Sequence, residues 1–435
     1  MTVNTNTDKE LVERLTESIM MILTGSDEGP RPHEIKRSHE PRITSSLWRP
    51  NMYTPQNMPT RITDTTILDS RIIVPRMKED ESVKDKSLTQ FENAPDKDKH
   101  FIVWAGTWNV SAPKAPFKIK DMVHVDPSRY QVGMYAIALQ EVTDPGAASM
   151  AFEPTSNAIS WEQALDTFMD TIKFQRVALQ SIGGTMLAVY IHPVFGRYIS
   201  NISVSTVALG QYKLKNKGAV GIRFNIGKET FCIVSAHLAA GETKHVPYSQ
   251  YLLGERSAYE KRVQNYKTLQ KMMAFKMREK NTFGNNQLGI QSKQSPILHI
   301  MDHSKIIFMG DLNFRITPNV SLVTLKARES RGDHYTDNTI LEKLREYDEL
   351  LYAMTYDKVL TDFQEGELAF KPTYKFEPGK DNYDAQTVRM PAWTDRILWK
   401  GDQTKLLQYN TKHTIGSDHK PLHAIIDFDK IMGPS

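Results

Sequence analysis

Six stretches of the 435-residue chain, the first four of them closing β-like apolar runs, carry residues able to hold a cation, accept a proton or bind an oxyanion. They are Thr107-Trp108-Asn109, Leu139-Gln140-Glu141, Ser235-Ala236-His237-Leu238, Met309-Gly310-Asp311-Leu312-Asn313, Trp393-Thr394-Asp395-Arg396 and Gly416-Ser417-Asp418-His419. These types suit metal-assisted hydrolysis of a phosphate. Mg²⁺ prefers oxygen donors and keeps several waters, so one or two carboxylates and an amide oxygen are enough to hold it. Water is a poor nucleophile without a carboxylate or imidazole base beside it. Charge gathering on the phosphoryl oxygens is offset by histidine, asparagine and the metal. Histidine and thiolate ligands at zinc spacing are missing, as is the Gly-x-x-x-x-Gly-Lys-Ser/Thr loop that cradles nucleotide phosphates.

Each stretch alone has a plainer reading. His237 on a strand suits a satisfied core histidine. Glu141, ahead of a Thr-Asp-Pro-Gly turn, suits a surface acid, and Asp311 or Asp418 a turn or helix cap. The convergence of strand ends at one sheet edge, where α/β folds build sites, is what would join them.

The elements that must position them begin at Phe101, where short β-rich runs alternate with helical segments. Strands are expected at 101–110, 134–140, 184–191, 202–209, 218–226, 230–237, 304–310, 394–400 and 421–428. Helices are expected at 158–171, 255–279 and 338–352, the last with Leu341, Leu344, Asp348 and Leu351 at helical spacing. This mixture predicts an α/β (α+β) sandwich of mostly antiparallel sheets with helices on the outer faces. Residues 281–303, rich in Asn, Gln, Ser and Gly, predict a long exposed loop.

Ahead of that body, residues 1–75 read as an amphipathic helix at 8–24, with Leu11, Leu15, Ile19 and Leu23 on one face, followed by a proline-rich arm. Residues 76–100 read as a charged, solvated linker, and 101–430 as the catalytic domain. Hydrophobic residues at 40% and charged residues at 24% are ordinary for a soluble protein, and a net charge of +4 only mildly favours anionic partners. The single cysteine, Cys232, excludes an internal disulfide, fits a reducing compartment and sits in a β-like run as a buried, inert thiol. No apolar stretch reaches the roughly 18 residues of a membrane span, so any membrane contact is expected to be peripheral.

From about residue 100 to 428 the chain resembles the inositol polyphosphate 5-phosphatase family, within the endonuclease/exonuclease/phosphatase superfamily. Two long signatures carry the resemblance, FMGDLNFRI (308–316) and PAWTDRILW (391–399). Seven shorter pieces follow the family's order: AGTWNV (105–110), ALQEV (138–142), NKGAVGIRF (216–224), SAHLAAGE (235–242), EKRVQNY (260–266), EGELAFKPTYKF (365–376) and GSDHKPL (416–422).

The resemblance implies a four-layer, DNase I-like sandwich and Mg²⁺-dependent hydrolysis of the 5-position phosphate of phosphoinositides or soluble inositol polyphosphates by in-line attack of water. It implies Glu141 as the main Mg²⁺ ligand, with Asn109 close to the metal and the scissile phosphate. It implies that Asp311 orients and deprotonates the water, with Asn313 helping to hold it. His419 would contact the scissile phosphate, oriented by Asp395, with Asp418 on the metal side and His237 facing the phosphate from another strand end. Tyr374, Lys375 and Arg396 match positions that grip the neighbouring 4-phosphate. Arg389 is a further candidate whose plainer reading is an exposed loop charge.

Four positions depart from the family pattern. Thr387 stands where many members carry a lysine, Gly210–Lys215 replaces a glycine-rich approach, Ala219 replaces a glycine and Thr394 a cysteine. Lys213, Lys215 and Lys217 alternate, so on a strand they share a face, either a solvated edge or a contact for anionic lipid. Lys217 is counted among the substrate-binding residues. The apolar, turn-rich segment 144–152 would be a loop dipping towards lipid or a packed lid. The expected setting is a cytoplasmic monomer, peripheral to membranes, with no nucleic-acid partner. A Mg²⁺-dependent nuclease of the same superfamily and an inert phosphoinositide-binding adaptor are the competing readings. Tyr374, Lys375 and Arg396 argue against the first, and intact Glu141, Asp311 and His419 against the second.

Overall fold

Apolar residues on both faces mark the central strands, as in Thr185–Ile191, where every residue is buried. The structure, a computed structural model, describes residues 100–428 except 112–118, 124, 127–128, 144–155, 211–216, 243–256, 278–295, 317–337, 385–388 and 390; of 338–340 and 343 it describes backbone alone. The described residues belong to one unit, Leu68–Thr317 with Asn338–Ser435. The expected N-terminal helix, arm and charged linker, the 144–152 loop, Lys213, Lys215 and Thr387 lie outside the described residues.

The strands are β1 (Ile102–Asn109), β2 (Val132–Gln140), β3 (Gln175–Ile182), β4 (Thr185–Ile191), β5 (Ile199–Ala208), β6 (Gly218–Ile226) and β7 (Glu229–His237). Then come β8 (Ala274–Lys276), β9 (Ile297–His299), β10 (Lys305–Asp311), β11 (Gln364–Glu365), β12 (Asp395–Lys400), β13 (Thr404–Thr411) and β14 (Leu422–Phe428). The helices are α1 (Ile119–Val123), α2 (Ser156–Thr171), α3 (Pro193–Gly196), α4 (Ala258–Met272), α5 (Asn338–Glu346) and α6 (Glu349–Tyr356). One sheet runs β13-β14-β1-β2-β4-β3 and a second β11-β12-β10-β7-β6-β5, with β8 and β9 as a separate hairpin. Only β1–β2 and β7–β10 pair in parallel; the rest are antiparallel, as the sequence predicts.

Strand alternation sorts the side chains into layers. On β7, Cys232, Val234 and Ala236 pack with Val263, Tyr266 and Leu269 of α4. Phe231, of the other parity, meets Phe101, just ahead of β1, and Phe428 of β14, at 5.8 Å and 5.6 Å between ring centroids. On β1, Trp104 and Trp108 pack with Trp161, Leu165 and Met169 of α2. The order is therefore helices, sheet, sheet, helices, and the polar strand ends Asn109, His237 and Asp311 carry the parity that faces the other sheet.

Three expectations change. The 255–279 helix begins at a Ser257 capping box and stops at Met272, where the chain turns into the β8–β9 hairpin. That hairpin and the turn Ile300–Asp302 replace the end of the predicted 281–303 loop. The 338–352 helix divides at Asp348, which caps α6 by accepting the Leu351 N–H at 3.0 Å.

Candidate active site

β10 lies between β7 and β12, and the register sets Asp311 opposite His237 on one side and Asp395 on the other. β1 and β2 end together at Asn109 and Gln140. The next residue, Glu141, adopts left-handed φ 56°, as do Ser111 (52°) and Asn313 (57°). Such conformations are costly for residues with a Cβ and persist where the surroundings fix them. Gly310 precedes Asp311 with φ 142°, and a Cβ there would lie 1.9 Å from the Ala236 carbonyl oxygen. Only glycine lets β10 approach β7 closely enough to bring Asp311 to His237.

Around Asp311, the Asn109 Nδ2 donates to Oδ2 at 3.0 Å and the Asn313 N–H to Oδ1 at 3.1 Å. His237 Nε2 stands 3.3 Å from Oδ2 and 3.8 Å from a Glu141 oxygen. Lys217 hydrogen-bonds His237 Nε2 and lies 4.0 Å from Glu141. Asn109 Oδ1 accepts the Ser111 N–H at 3.0 Å, which together with the Asp311 bond fixes its amide orientation. Ser111 also donates to Asp418, and Ser417 donates to the Asn109 carbonyl at 2.7 Å, tying the last strand end to the first.

The second half of the site is built on Asp395. Its Oδ2 accepts from Thr373 at 2.7 Å, Thr394 at 3.0 Å and His419 Nδ1 at 2.8 Å. This leaves His419 Nε2 as the nitrogen available to a ligand. The Tyr374 ring lies 4.4 Å from the His419 ring, and the Arg315 guanidinium packs 4.5 Å from the Tyr374 ring. Arg389 donates to the Tyr374 hydroxyl, and Lys375 pairs with Asp384 at 3.2 Å.

Burial would push the Asp311 carboxyl up, but His237, His419 and Lys217 outweigh it and hold the group well below the usual carboxylate range. Burial and the Lys217 ammonium push His237 down, so it is neutral. Burial would lower His419 too, but Asp395, with Asp311 and Asp418 beyond it, raises it from 6.5 to about 9. A folded-state pKa above the unfolded one adds stability that is fully present below pH 6.5 and is lost as pH rises through about 9. In metal-free protein, raising pH from 6.5 to above 9 is therefore expected to remove about 3 kcal/mol of unfolding free energy. Denaturant titrations across that range check it, since His419→Gln should flatten the slope.

One assignment is corrected. Arg396 does not face the site. Asp395 and Arg396 are strand neighbours and must point to opposite faces. Arg396, 2% exposed, shares the helix-side parity of Leu398. Its Nη1 donates to both Asp348 oxygens at 2.9 Å, and its Nε and Nη2 to Glu365 at 2.7 Å and 2.6 Å. Those donors are taken, so no fork remains for a substrate phosphate. Conversely, Arg315 was missed although it lies in the 308–316 signature. It is 6% exposed, donates Nη2 to Asn313 Oδ1 at 2.5 Å, and its Nε and Nη1 have no hydrogen-bond partner among the described residues. Ser111 was missed as well.

For a cation, Asp311, Asp395 and His419 offer ligand atoms within 4.8 Å of one another. Asp395 Oδ2 already serves three donors, which makes that carboxylate an orienter. Glu141, Asn109 Oδ1, Asp311 and Asp418 supply the oxygen donors that a hard divalent ion prefers, and the Glu141 side chain is 34% exposed.

The model of endonuclease/exonuclease/phosphatase family 2 matches residues 106–425. Over 348 residues the chain is 28% identical to the type II inositol 1,4,5-trisphosphate 5-phosphatase of Mus musculus, covering 79% of this chain and 30% of that one. It is 30% identical over 359 residues to the phosphatidylinositol 4,5-bisphosphate 5-phosphatase A of Mus musculus, covering 75% and 31%. The chain thus spans under a third of the length of these curated relatives. Among solved structures, its fold is similar to the inositol polyphosphate 5-phosphatase domain of spsynaptojanin, determined in complex with inositol (1,4)-bisphosphate and calcium ion. The TM-score is 0.59 at 24% identity, over 76% of this chain and 84% of that one.

Proposed function

This chain belongs to endonuclease/exonuclease/phosphatase family 2, and from that premise we propose that it hydrolyses the 5-position phosphate of phosphoinositides or soluble inositol polyphosphates with Mg²⁺. The observation that carries the reading is the Tyr374 ring, which packs on His419 while its hydroxyl accepts Arg389. The hydrolytic histidine and a cationic phosphate-reading group thereby share one wall. A second phosphate beside the scissile one meets Arg389, Lys375 and the Arg315 Nε and Nη1, which have no partner among the described residues. The curated relatives named for inositol and phosphatidylinositol substrates support the same reading.

When bound, Mg²⁺ would be held by Glu141 and Asn109, with Asp311 and Asp418 as further oxygen donors, and would supply Lewis-acid stabilisation of charge on the phosphoryl oxygens. Asp311 stays ionised at every working pH and is fixed by Asn109 and Asn313, so it orients the water and takes its proton as the bond to phosphorus forms and the water acidifies. The imidazolium of His419, held by Asp395, donates Nε2–H to a phosphoryl oxygen. Neutral His237 is hydrogen-bonded to Lys217, and on that side the Lys217 ammonium, its pKa pushed down by burial, meets the charge on the leaving oxygen and gives it a proton.

Glu141 is braced by the β3–β4 turn, where the Gly184 carbonyl accepts the Val142 N–H at 3.1 Å. A Cβ at Gly184 would sit 3.2 Å from the Glu141 Cα. Gly184→Ala is expected to displace Glu141 by a few tenths of an ångström and lower kcat about tenfold. A Mg²⁺ titration should show a higher half-saturating concentration.

The test of the proposed function is phosphate release from short-chain phosphatidylinositol 4,5-bisphosphate, inositol 1,4,5-trisphosphate and a plasmid, each with Mg²⁺ and with EDTA. Release from either inositol substrate, abolished by EDTA, is the expected result. Nicking of the plasmid without inositol phosphate turnover sinks the proposal, and binding without turnover makes the chain an adaptor.

A further inference from the structure

The reaction above gives the 260–266 motif, EKRVQNY, no task. The motif lies on α4, and the bonds it makes run to both catalytic loops. Arg262 Nη1 donates to the carbonyls of Gly241 at 2.8 Å and Ala239 at 3.3 Å, while Nη2 donates to Glu349 Oε2 at 2.6 Å. The Asn265 amide oxygen accepts the Ala239 N–H at 3.0 Å. The same Glu349 oxygen accepts the Arg315 N–H at 2.8 Å. Arg315 in turn donates to Asn313 Oδ1, and Asn313 Nδ2 donates to the Leu238 carbonyl at 3.2 Å.

These bonds close on themselves: Asn313, the Leu238–Gly241 loop, Arg262, Glu349, Arg315 and Asn313 again. We propose that the buried Arg262–Glu349 pair is a positioning device for Asn313, fixing through this ring the orientation of the amide that holds the attacking water. Arg262 is 0% and Glu349 2% exposed, so neither touches substrate. Asn313 sits at φ 57°, outside its preferred backbone region. A bond to Oδ1 from one side and from Nδ2 on the other defines both its rotamer and which atom is oxygen. A ring also makes each bond depend on the rest, because a shift of either loop must break two of them. The pair is neutral overall, so it adds no net charge at the phosphate and works through geometry alone.

Two variants separate positioning from stability. Arg262→Met/Glu349→Leu removes both charges together and leaves neither buried and unpaired, so folding should be kept. Its kcat is expected to fall about 10- to 100-fold with KM within twofold. Glu349→Gln leaves Arg262 without its counter-ion and should melt earlier, yet it keeps an acceptor for the Arg315 N–H and should retain kcat within about fivefold. A merely structural pair would order the two variants the other way, and that ordering would overturn the proposal. The rate arm rests on the phosphatase reading; a second arm does not. The Asn313 side-chain NH₂ resonances, assigned by their loss in Asn313→Asp, should exchange slowly with solvent in the wild-type chain and fast in the double variant. Wild-type-like exchange in the double variant also overturns it. Should that variant not fold, Arg262→Lys carries the same expectation, since lysine keeps the charge but cannot reach Glu349, Gly241 and Ala239 at once.

Discussion

Asp311→Asn is expected to lower kcat by about 10³- to 10⁴-fold while leaving KM nearly unchanged. Asp311 is the group on which the site converges: Asn109, Asn313 and His237 reach it from β1, the loop beyond β10 and β7. An asparagine keeps the shape and removes both the proton acceptor and the charge that draws His419 and Lys217 towards the site. It also turns one acceptor into a donor, so the Asn109 Nδ2 or the Asn313 N–H loses its partner. That adds a stability loss of about 1–3 kcal/mol, small enough for the protein to fold. Single-turnover phosphate release on protein whose circular dichroism matches wild type checks the rate. A loss below tenfold would assign the proton acceptor elsewhere.

The second large effect is on the fold. Arg396→Leu is expected to destabilise the protein by about 3–5 kcal/mol, because it leaves the buried Asp348 and the half-buried Glu365 carboxylates without their counter-ion. Tyr409, which donates to Glu365 at 3.0 Å, tightens the same network and joins β13 to it. Urea unfolding should show the midpoint falling with the slope unchanged. KM for substrate, measured where the variant is folded, should stay within about twofold, whereas loss of a charged phosphate contact would raise it at least tenfold. A stable variant with a raised KM would return Arg396 to the substrate.

All nine strands proposed from the sequence are present: eight lie inside their sheets and carry apolar residues on both faces, while the ninth, the edge strand β5, shows in its alternation of Val204 and Thr206 with serine and valine. The strands missed include β13, β3 and β11, which lie at sheet edges. Edge strands are half solvated and polar, as in Thr404–Thr411, so their pattern resembles a loop. The helix drawn through Asp348 failed because a capping residue can keep helical spacing and still begin a new helix. Within the site, the polar strand ends came together because register and alternation decide it. The same alternation, applied to Asp395 and Arg396, would have turned Arg396 away from the substrate; resemblance to a motif carries no parity. Arg315, at the end of the 308–316 signature, could have been singled out by asking what holds Asn313. The Tyr374 ring between His419 and Arg315 was not legible, since it depends on the pairing of residues 373–376 with both Ala392 and 418–420. No helix among the described residues is long and apolar enough to cross a membrane.

The most direct measurement of the proposed chemistry is the position of the bond broken. Inositol 1,4,5-trisphosphate incubated with the chain and Mg²⁺, followed by ³¹P NMR, is predicted to give the 1,4-bisphosphate and inorganic phosphate as the only products. On the proposed reading, the wall of Tyr374, Arg389 and Lys375 would keep the 4-phosphate while His419 and Asp311 act on its neighbour. Loss of the 4- or the 1-phosphate instead, or no release under conditions where the folded protein binds the substrate, would contradict it.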